Sequence, residues 1–184
     1  PSGDPSAKMS YTVLPPRNAD PGAKSLAGLQ ITKQVTLSDG GKKLQSIYTF
    51  SNPTAVPLTF GYRLRNWPRR DGECEIRSGK LLVKGGSDNG GLLWLAPGAE
   101  GKTGGLPGKV LSGDFTPNPV EFIPAVTGDP SFCFKMTPVE WAGVMIWWSN
   151  ATQASSTVEL LGREMTLEPG GVRSVSSTIE IINK

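Results

Sequence analysis

The sequence predicts an all-β protein, an antiparallel β-sandwich of roughly ten to twelve short strands with little or no helix. Three observations carry this. Apolar residues recur at alternate positions in short runs, the period of a half-buried strand. The 184 residues include 23 glycines and 16 prolines, punctuation too dense for long helices. The best helical candidate, Val139–Met145, contains Gly143 and runs into Ile146-Trp147-Trp148, so it too reads as a strand. An antiparallel sheet with one apolar face must stack on a second layer to bury that face, hence the sandwich.

Residues 1–27 are polar and rich in proline, and read as a flexible lead-in in which only Tyr11–Leu14 looks able to pair. Residues 28–184 read as a single sandwich domain. Leu29, Ile31, Val35 and Leu37 mark the first regular strand, and Asp39-Gly40-Gly41 is a hairpin turn signal. Leu44, Ser46, Tyr48 and Phe50 share one face of the next strand. Asn52-Pro53-Thr54 then turns the chain, because proline cannot continue the ladder. The run Val56–Asn66 follows, with Leu58, Phe60, Tyr62 and Leu64 on one face and Thr59, Gly61, Arg63 and Arg65 on the other.

Beyond this meander, ECEIRS, GKLLVKG and GLLWLAPG are short strand candidates. Ala96–Asn118 reads as a long Gly/Pro-rich loop of the kind that often borders a site. VEFIPA, SFCFKMT, WAGVMIWWS, STVELLG and EMTLEPG continue the strand texture. In the final run Val175, Ser177, Ile179 and Ile181 form the apolar face.

Composition excludes several chemistries. There is no histidine, so Ser-His-Asp and Cys-His catalysis and His-ligated zinc are ruled out. Two cysteines cannot form a four-cysteine metal site, and neither a metal nor a cofactor is expected. GGSDNGG and GKTGG do not fit the phosphate-loop pattern. No apolar run is long enough for a membrane span. Net charge is +3, too small and too interspersed for a nucleic-acid binder. The charge is uneven, with +6 over residues 1–120 and −3 over residues 121–184. The densest basic stretch runs from Arg63 to Lys84, broken by Asp71, Glu73 and Glu75. It reads either as a solvated surface or as a site for an anionic or sugar ligand.

Cys74 and Cys133 each sit in a strand-like run. An even pair in a small β-protein suits an oxidising compartment, so they are a disulfide candidate, with two buried thiols as the alternative. With the polar first residues, this points to a secreted or periplasmic bacterial protein whose signal peptide has been removed.

Five tryptophans stand at 67, 94, 141, 147 and 148. Flat indoles bind the apolar C–H faces of sugars, and they also fill sandwich cores. Trp147 and Trp148 are adjacent, so in a strand they point to opposite faces and one leaves the main core. Trp67, beside arginines and before a proline, and Trp94 are the best candidates for exposed platforms. Glu159 lies in STVELLG, opposite in direction to Val158 and Leu160. It belongs either on a solvent face, the ordinary reading, or in a site. Asp114, in LSGDF, could join it only through the fold.

Two stretches resemble the galactose-mutarotase-like supersandwich family, which includes aldose epimerases and related carbohydrate-binding domains. Leu44–Pro68 resembles the family's strand, Asn-containing turn and second strand ending in Asn and an aromatic. Ser156–Ile181 resembles its late segment, where a Glu-bearing strand precedes a Leu-x-Pro-Gly turn, here Leu167-Glu168-Pro169-Gly170, and a last strand. The resemblance implies that Glu159 occupies the position of the family's catalytic base, with Arg63 or Arg65 and Trp67 near the sugar cleft. The family's epimerases use a histidine acid partner, which this chain lacks, so the resemblance implies fold and sugar binding more than epimerase activity. The immunoglobulin-like sandwich also uses strand, Asn-Pro, strand edges and is the second family to consider.

The leading expectation is an exported, non-catalytic binder of carbohydrate or cell-envelope glycan. Arg63, Arg65, Trp67, Trp94 and Asp114 are its binding residues. A structural module is the second expectation, with Trp147 and Trp148 on an edge strand covering a contact with a protein partner or a second copy. An enzyme on sugars using Glu159 and a second carboxylate is the third.

Overall fold

The computed structural model describes residues 4–15, 26–67, 74–78, 81–85, 91–95, 108–111, 120–124, 132–139, 141–149 and 155–183. They form fifteen strands. In chain order these are β1 (Ser6–Thr12), β2 (Gln30–Ser38), β3 (Lys43–Ser51), β4 (Leu58–Phe60), β5 (Arg63–Asn66), β6 (Cys74–Ser78), β7 (Leu81–Gly85) and β8 (Gly91–Leu95). Then follow β9 (Gly108–Leu111), β10 (Val120–Pro124), β11 (Phe132–Val139), β12 (Trp141–Trp148), β13 (Ser156–Gly162), β14 (Met165–Leu167) and β15 (Val172–Asn183). The helical content among the described residues is one 3-10 turn, Asp39–Gly41. The chain is therefore an all-β sandwich protein, as its period-two patterning and turn density require.

The strands fall into two compact units, residues 1–62 with 163–177 and residues 63–162 with 178–184. In the first, hydrogen bonding runs β1-β2-β3-β15, and β4 pairs with β14. Asp39-Gly40-Gly41 closes the β2–β3 hairpin, with all three residues at positive φ. Alternation places Ser46 and Phe50 of β3, and Val175 and Ser177 of β15, in the buried layer. Phe50 packs its ring against Phe60 and Tyr62 at centroid distances of 5.3 and 5.1 Å. The lead-in contributes more than Tyr11–Leu14, because Ser6–Thr12 pairs antiparallel with β2 along its whole length. Its residues are all exposed, although Ala7, Met9 and Tyr11 alternate with polar residues, so it pairs through its backbone without burying an apolar face.

The Asn52 turn is the polar anchor of this unit. Asn52 is fully buried. Its Nδ2 donates to the carbonyls of Val56 and Leu167, both at 2.8 Å. Its Oδ1 accepts from the Thr54 amide at 3.0 Å and the Thr54 hydroxyl at 2.7 Å. The Asn52 amide donates to Gly171 O, and Gly170 N donates to Asn52 O. The Asn-Pro turn and the Leu-x-Pro-Gly turn, the two motifs of the family resemblance, are thus joined by one side chain and its own peptide groups.

The second unit holds the order β15-β11-β10-β6-β7 and a further sheet, β5-β13-β12-β8-β9. Ile76, Phe122, Cys133 and Met136 are buried on the first sheet, and Val144, Ile146, Val158 and Leu160 on the second. The run Val56–Asn66 is two strands: it breaks at Gly61-Tyr62, so Leu58–Phe60 pairs with β14 and Arg63–Asn66 pairs with β13. Within the stretch read as a long loop, Gly108–Leu111 forms β9 and pairs parallel with β8. Four residues amid glycine and proline are too few to show a period. The disulfide expectation is corrected. Cys74 on β6 and Cys133 on β11 are separated by β10 and offset in register, which puts their Cα atoms more than two strand spacings, about 9.6 Å, apart. A disulfide needs less than ~7 Å. Both cysteines are buried thiols and no disulfide joins them.

Candidate functional site

The five-stranded sheet of the second unit gathers most of the candidate residues on one face. Its register aligns Arg65, Glu159, Met145 and Trp94 in one row across β5, β13, β12 and β8. Thr157 and Trp147 pair in the next row. Because side chains alternate, residues two apart on a strand share a face, so Arg63 joins Arg65, and Thr157 joins Glu159. An open depression of about 390 Å³ lies on this face, lined by Arg65, Trp67, Met145, Trp147, Ser155, Thr157 and Glu159.

Glu159 sits at its base with 2% exposure. The solvent-face reading of this residue is overturned. Ser156–Leu160 is buried at every position, and on the face of the depression Arg63, Arg65 and Thr157 surround the carboxylate. A carboxylate taken out of water costs several kcal/mol unless it is paired. Here Arg65 Nε lies 2.9 Å from Oε1, and Thr157 Oγ1 donates to the same oxygen at 3.0 Å. Arg63 Nε lies 3.1 Å from Oε2. That contact is an ion pair without hydrogen-bond alignment, and Oε2 has no hydrogen-bond partner among the described residues. The two arginine side chains are about half exposed, and the atom of each that approaches Glu159 is Nε.

Trp67 is 71% exposed at the end of β5. The Arg65 guanidinium stands over its ring, 5.8 Å from the centroid. A cation–π contact of this kind restricts the indole without burying it. Thr157, Glu159, Arg65 and Trp67 therefore form one chain of contacts from the sheet to the solvent. Across the depression Trp147 is half-buried, while Trp148, its neighbour, faces the other way and is buried. This is the divergence that their adjacency requires. Strand β12 is not an edge, since it is flanked by β13 and β8, so the paired tryptophans do not form the exposed edge that an assembly contact would use. Beside them, Ser149 and Ser155 close the β12–β13 connection: Ser149 N donates to Ser155 O and Ser155 N to Ser149 Oγ, both at 2.9 Å.

Arg63, Arg65, Trp67 and Glu159 are thus brought together. Trp94 takes the register position beside Met145, and its side chain lies outside the described residues. Asp114 lies outside them altogether, as does most of Ala96–Asn118. Thr157, Met145 and Ser155 were not singled out from sequence, and Trp147 was, as half of the Trp147-Trp148 pair rather than as a ligand-binding residue. Thr157 carried a usable signal, being two residues before Glu159. Among the described residues no second carboxylate lines the depression. No group of three or more Cys, Asp or Glu among them could hold a metal. No helix among them is long and apolar enough to cross a membrane.

No protein-family model matches the chain, and no curated protein does. Solved structures do match in fold. A candidate aldose 1-epimerase from Escherichia coli K12 superposes with a TM-score of 0.61 at 10% identity, over 98% of this chain and 66% of that protein. A galactose mutarotase-like protein from Clostridium acetobutylicum gives 0.59 at 12% identity, over 97% and 63%. The α-galactosidase of Lactobacillus brevis gives 0.54 at 10% identity, over 98% of this chain and 26% of the enzyme. The chain spans between half and two thirds of the length of the epimerase-like proteins it matches. At these identities the matches establish the fold, which is galactose-mutarotase-like.

Proposed function

We propose that this protein is a carbohydrate-binding β-sandwich domain that holds a saccharide non-catalytically over the β5–β13–β12 face. One observation carries the reading: an exposed indole, Trp67, is held beside a half-exposed guanidinium, Arg65, which a buried carboxylate fixes from beneath. The indole supplies an apolar platform for a sugar's C–H face, and the arginine's outer nitrogens donate to its hydroxyls. Trp147 and Thr157 border the same depression, whose volume falls in the range of small-ligand sites. The fold is shared with proteins described as a mutarotase-like protein and an α-galactosidase, which agrees with a sugar ligand.

Glu159 supports binding rather than turnover. Oε1 already takes Arg65 and Thr157, and Oε2 lies against Arg63. Its chemical task is to order the donors above it. With no histidine in the chain, no imidazole acid partner exists for an epimerase cycle.

The test is a glycan array followed by calorimetric titration of the strongest hit with the native chain and with Trp67→Ala. Binding that Trp67→Ala weakens at least tenfold, with unchanged thermal stability, is the expected result. Native affinity in Trp67→Ala, or turnover of a sugar anomer above the uncatalysed rate, overturns the proposal.

A further inference from the structure

The charge count at this site specifies the class of saccharide, an inference that rests on the carbohydrate reading. Two guanidiniums share one carboxylate. Arg65 and Glu159 line the depression and Arg63 joins them through Glu159 from the same face of β5, while the other lining side chains, Trp67, Met145, Trp147, Ser155 and Thr157, carry no charge. The cluster therefore keeps one unit of positive charge. The arginines also engage Glu159 through Nε, the inner edge of each group, so the forked outer ends are left for an anion. Arg63 and Arg65 stand two residues apart on the same face of β5, a separation of about 6.7 Å along the strand. A single carboxylate or sulfate placed between them can reach both.

The contact with Arg63 is the looser of the two. Arg65 is fixed by an ion pair at 2.9 Å and by the indole of Trp67, whereas Arg63 has only an ion pair at 3.1 Å, to an oxygen without a hydrogen-bond partner among the described residues. An incoming anion can thus reorient Arg63 without breaking a formed hydrogen bond. We infer that the site takes an acidic saccharide: the sugar ring lies on Trp67, and an exocyclic carboxylate or sulfate is held by the outer nitrogens of Arg63 and Arg65. Arg65, which touches both the indole and Glu159, sets the spacing between ring and anion.

The experiment compares an array of neutral, uronate-bearing and sulfated glycans on the native chain and on Arg63→Gln. The strongest acidic hit is then titrated at 50 and 500 mM NaCl, beside its methyl-esterified or desulfated form. Acidic glycans should dominate. Removing the anion, or making Arg63→Gln, should weaken binding by about tenfold or more, the loss expected for a charge-assisted hydrogen bond. High salt should weaken the acidic ligand and leave its neutral form nearly unaffected. Neutral glycans that bind as tightly as acidic ones, with no salt dependence, overturn this inference and leave the carbohydrate reading standing. Failure of every glycan to bind overturns both. Uronate hits without sulfated ones, or the reverse, identify which anion the arginines accept.

Discussion

Asn52 and Leu167 are joined by a 2.8 Å hydrogen bond from the Asn52 side-chain amide to the Leu167 main-chain carbonyl, buried within the first unit. The same amide holds the Val56 carbonyl, and its oxygen holds Thr54 twice. All of the side chain's hydrogen-bonding groups are therefore used, with none left to water. A fully satisfied buried amide specifies one geometry, because any other residue type leaves a partner unpaired.

That satisfaction sets an order of stabilities. Asn52→Ala removes the side-chain donor to Leu167 O and the acceptor of the Thr54 amide, leaves Val56 O with the Thr54 hydroxyl alone, and should cost roughly 2–4 kcal/mol. Asn52→Asp keeps the acceptor for Thr54 but points a carboxylate oxygen at the carbonyls of Val56 and Leu167. It should cost more than alanine at neutral pH. Urea unfolding midpoints decide, and an aspartate variant as stable as the native chain would refute the account.

Gly28 supplies a second test nearby. Its φ is +90°, and a Cβ there would stand 2.6 Å from Thr54 Cγ2. Gly28→Ala should destabilise through both effects, with the backbone part about 1–2 kcal/mol. Thr54→Ser removes the methyl and keeps the hydroxyl that Asn52 accepts. The double variant Gly28→Ala/Thr54→Ser should regain the steric part alone, leaving the backbone cost. Additive losses in the double-mutant cycle would show that the contact is not the cause.

These contacts also mark what sequence can reveal. The Asn52-Pro53 turn and the Leu167–Gly170 turn are each readable, since proline, glycine and asparagine act on their own backbone. That one holds the other is not readable, because it depends on a pairing between distant strands. The alternation of Leu44–Phe50 and Val175–Ser177 gave the buried faces for the same local reason. It loses force at Ile181, which is exposed at the strand's end. At the site, Arg63, Arg65, Trp67 and Glu159 stood out as residue types. Glu159 reads as a solvent residue from its own strand because period two describes one strand and cannot say that Arg63 and Arg65 of β5 reach over its carboxylate. The disulfide failed similarly: strand texture placed both cysteines in strands but could not show β10 between them.

The asymmetry of exposure across the ion-pair cluster gives a third prediction. Glu159 is buried, and its arginines are half exposed. Removing the carboxylate lets two guanidiniums return to water, so Glu159→Gln should cost only about 1 kcal/mol. Removing both arginines leaves the carboxylate buried with Thr157 as its remaining partner, and Arg63→Ala/Arg65→Ala should cost several kcal/mol, in the ~3–5 range of broken buried pairs. Denaturant titrations of the two variants measure the difference. A larger loss in Glu159→Gln than in the double arginine variant would reverse the assigned direction of support.

Arg65 links that cluster to Trp67, and a conservative change isolates the link. Arg65→Lys keeps the charge near Glu159 but loses the planar group over the indole, 5.8 Å from its centroid. A lysine ammonium is a compact point charge and cannot both pair through an inner edge and lie flat against a ring. Trp67 should therefore gain freedom while the fold stays intact. The difference in time-resolved fluorescence anisotropy between each protein and its Trp67→Phe counterpart isolates this indole from the other four. Arg65→Lys should show a larger fast component for Trp67, with unfolding stability changed by no more than the ~0.5 kcal/mol typical of surface changes. If the indole is as restricted in Arg65→Lys as in the native chain, the guanidinium does not position it. The platform would then owe its orientation to the end of β5 alone.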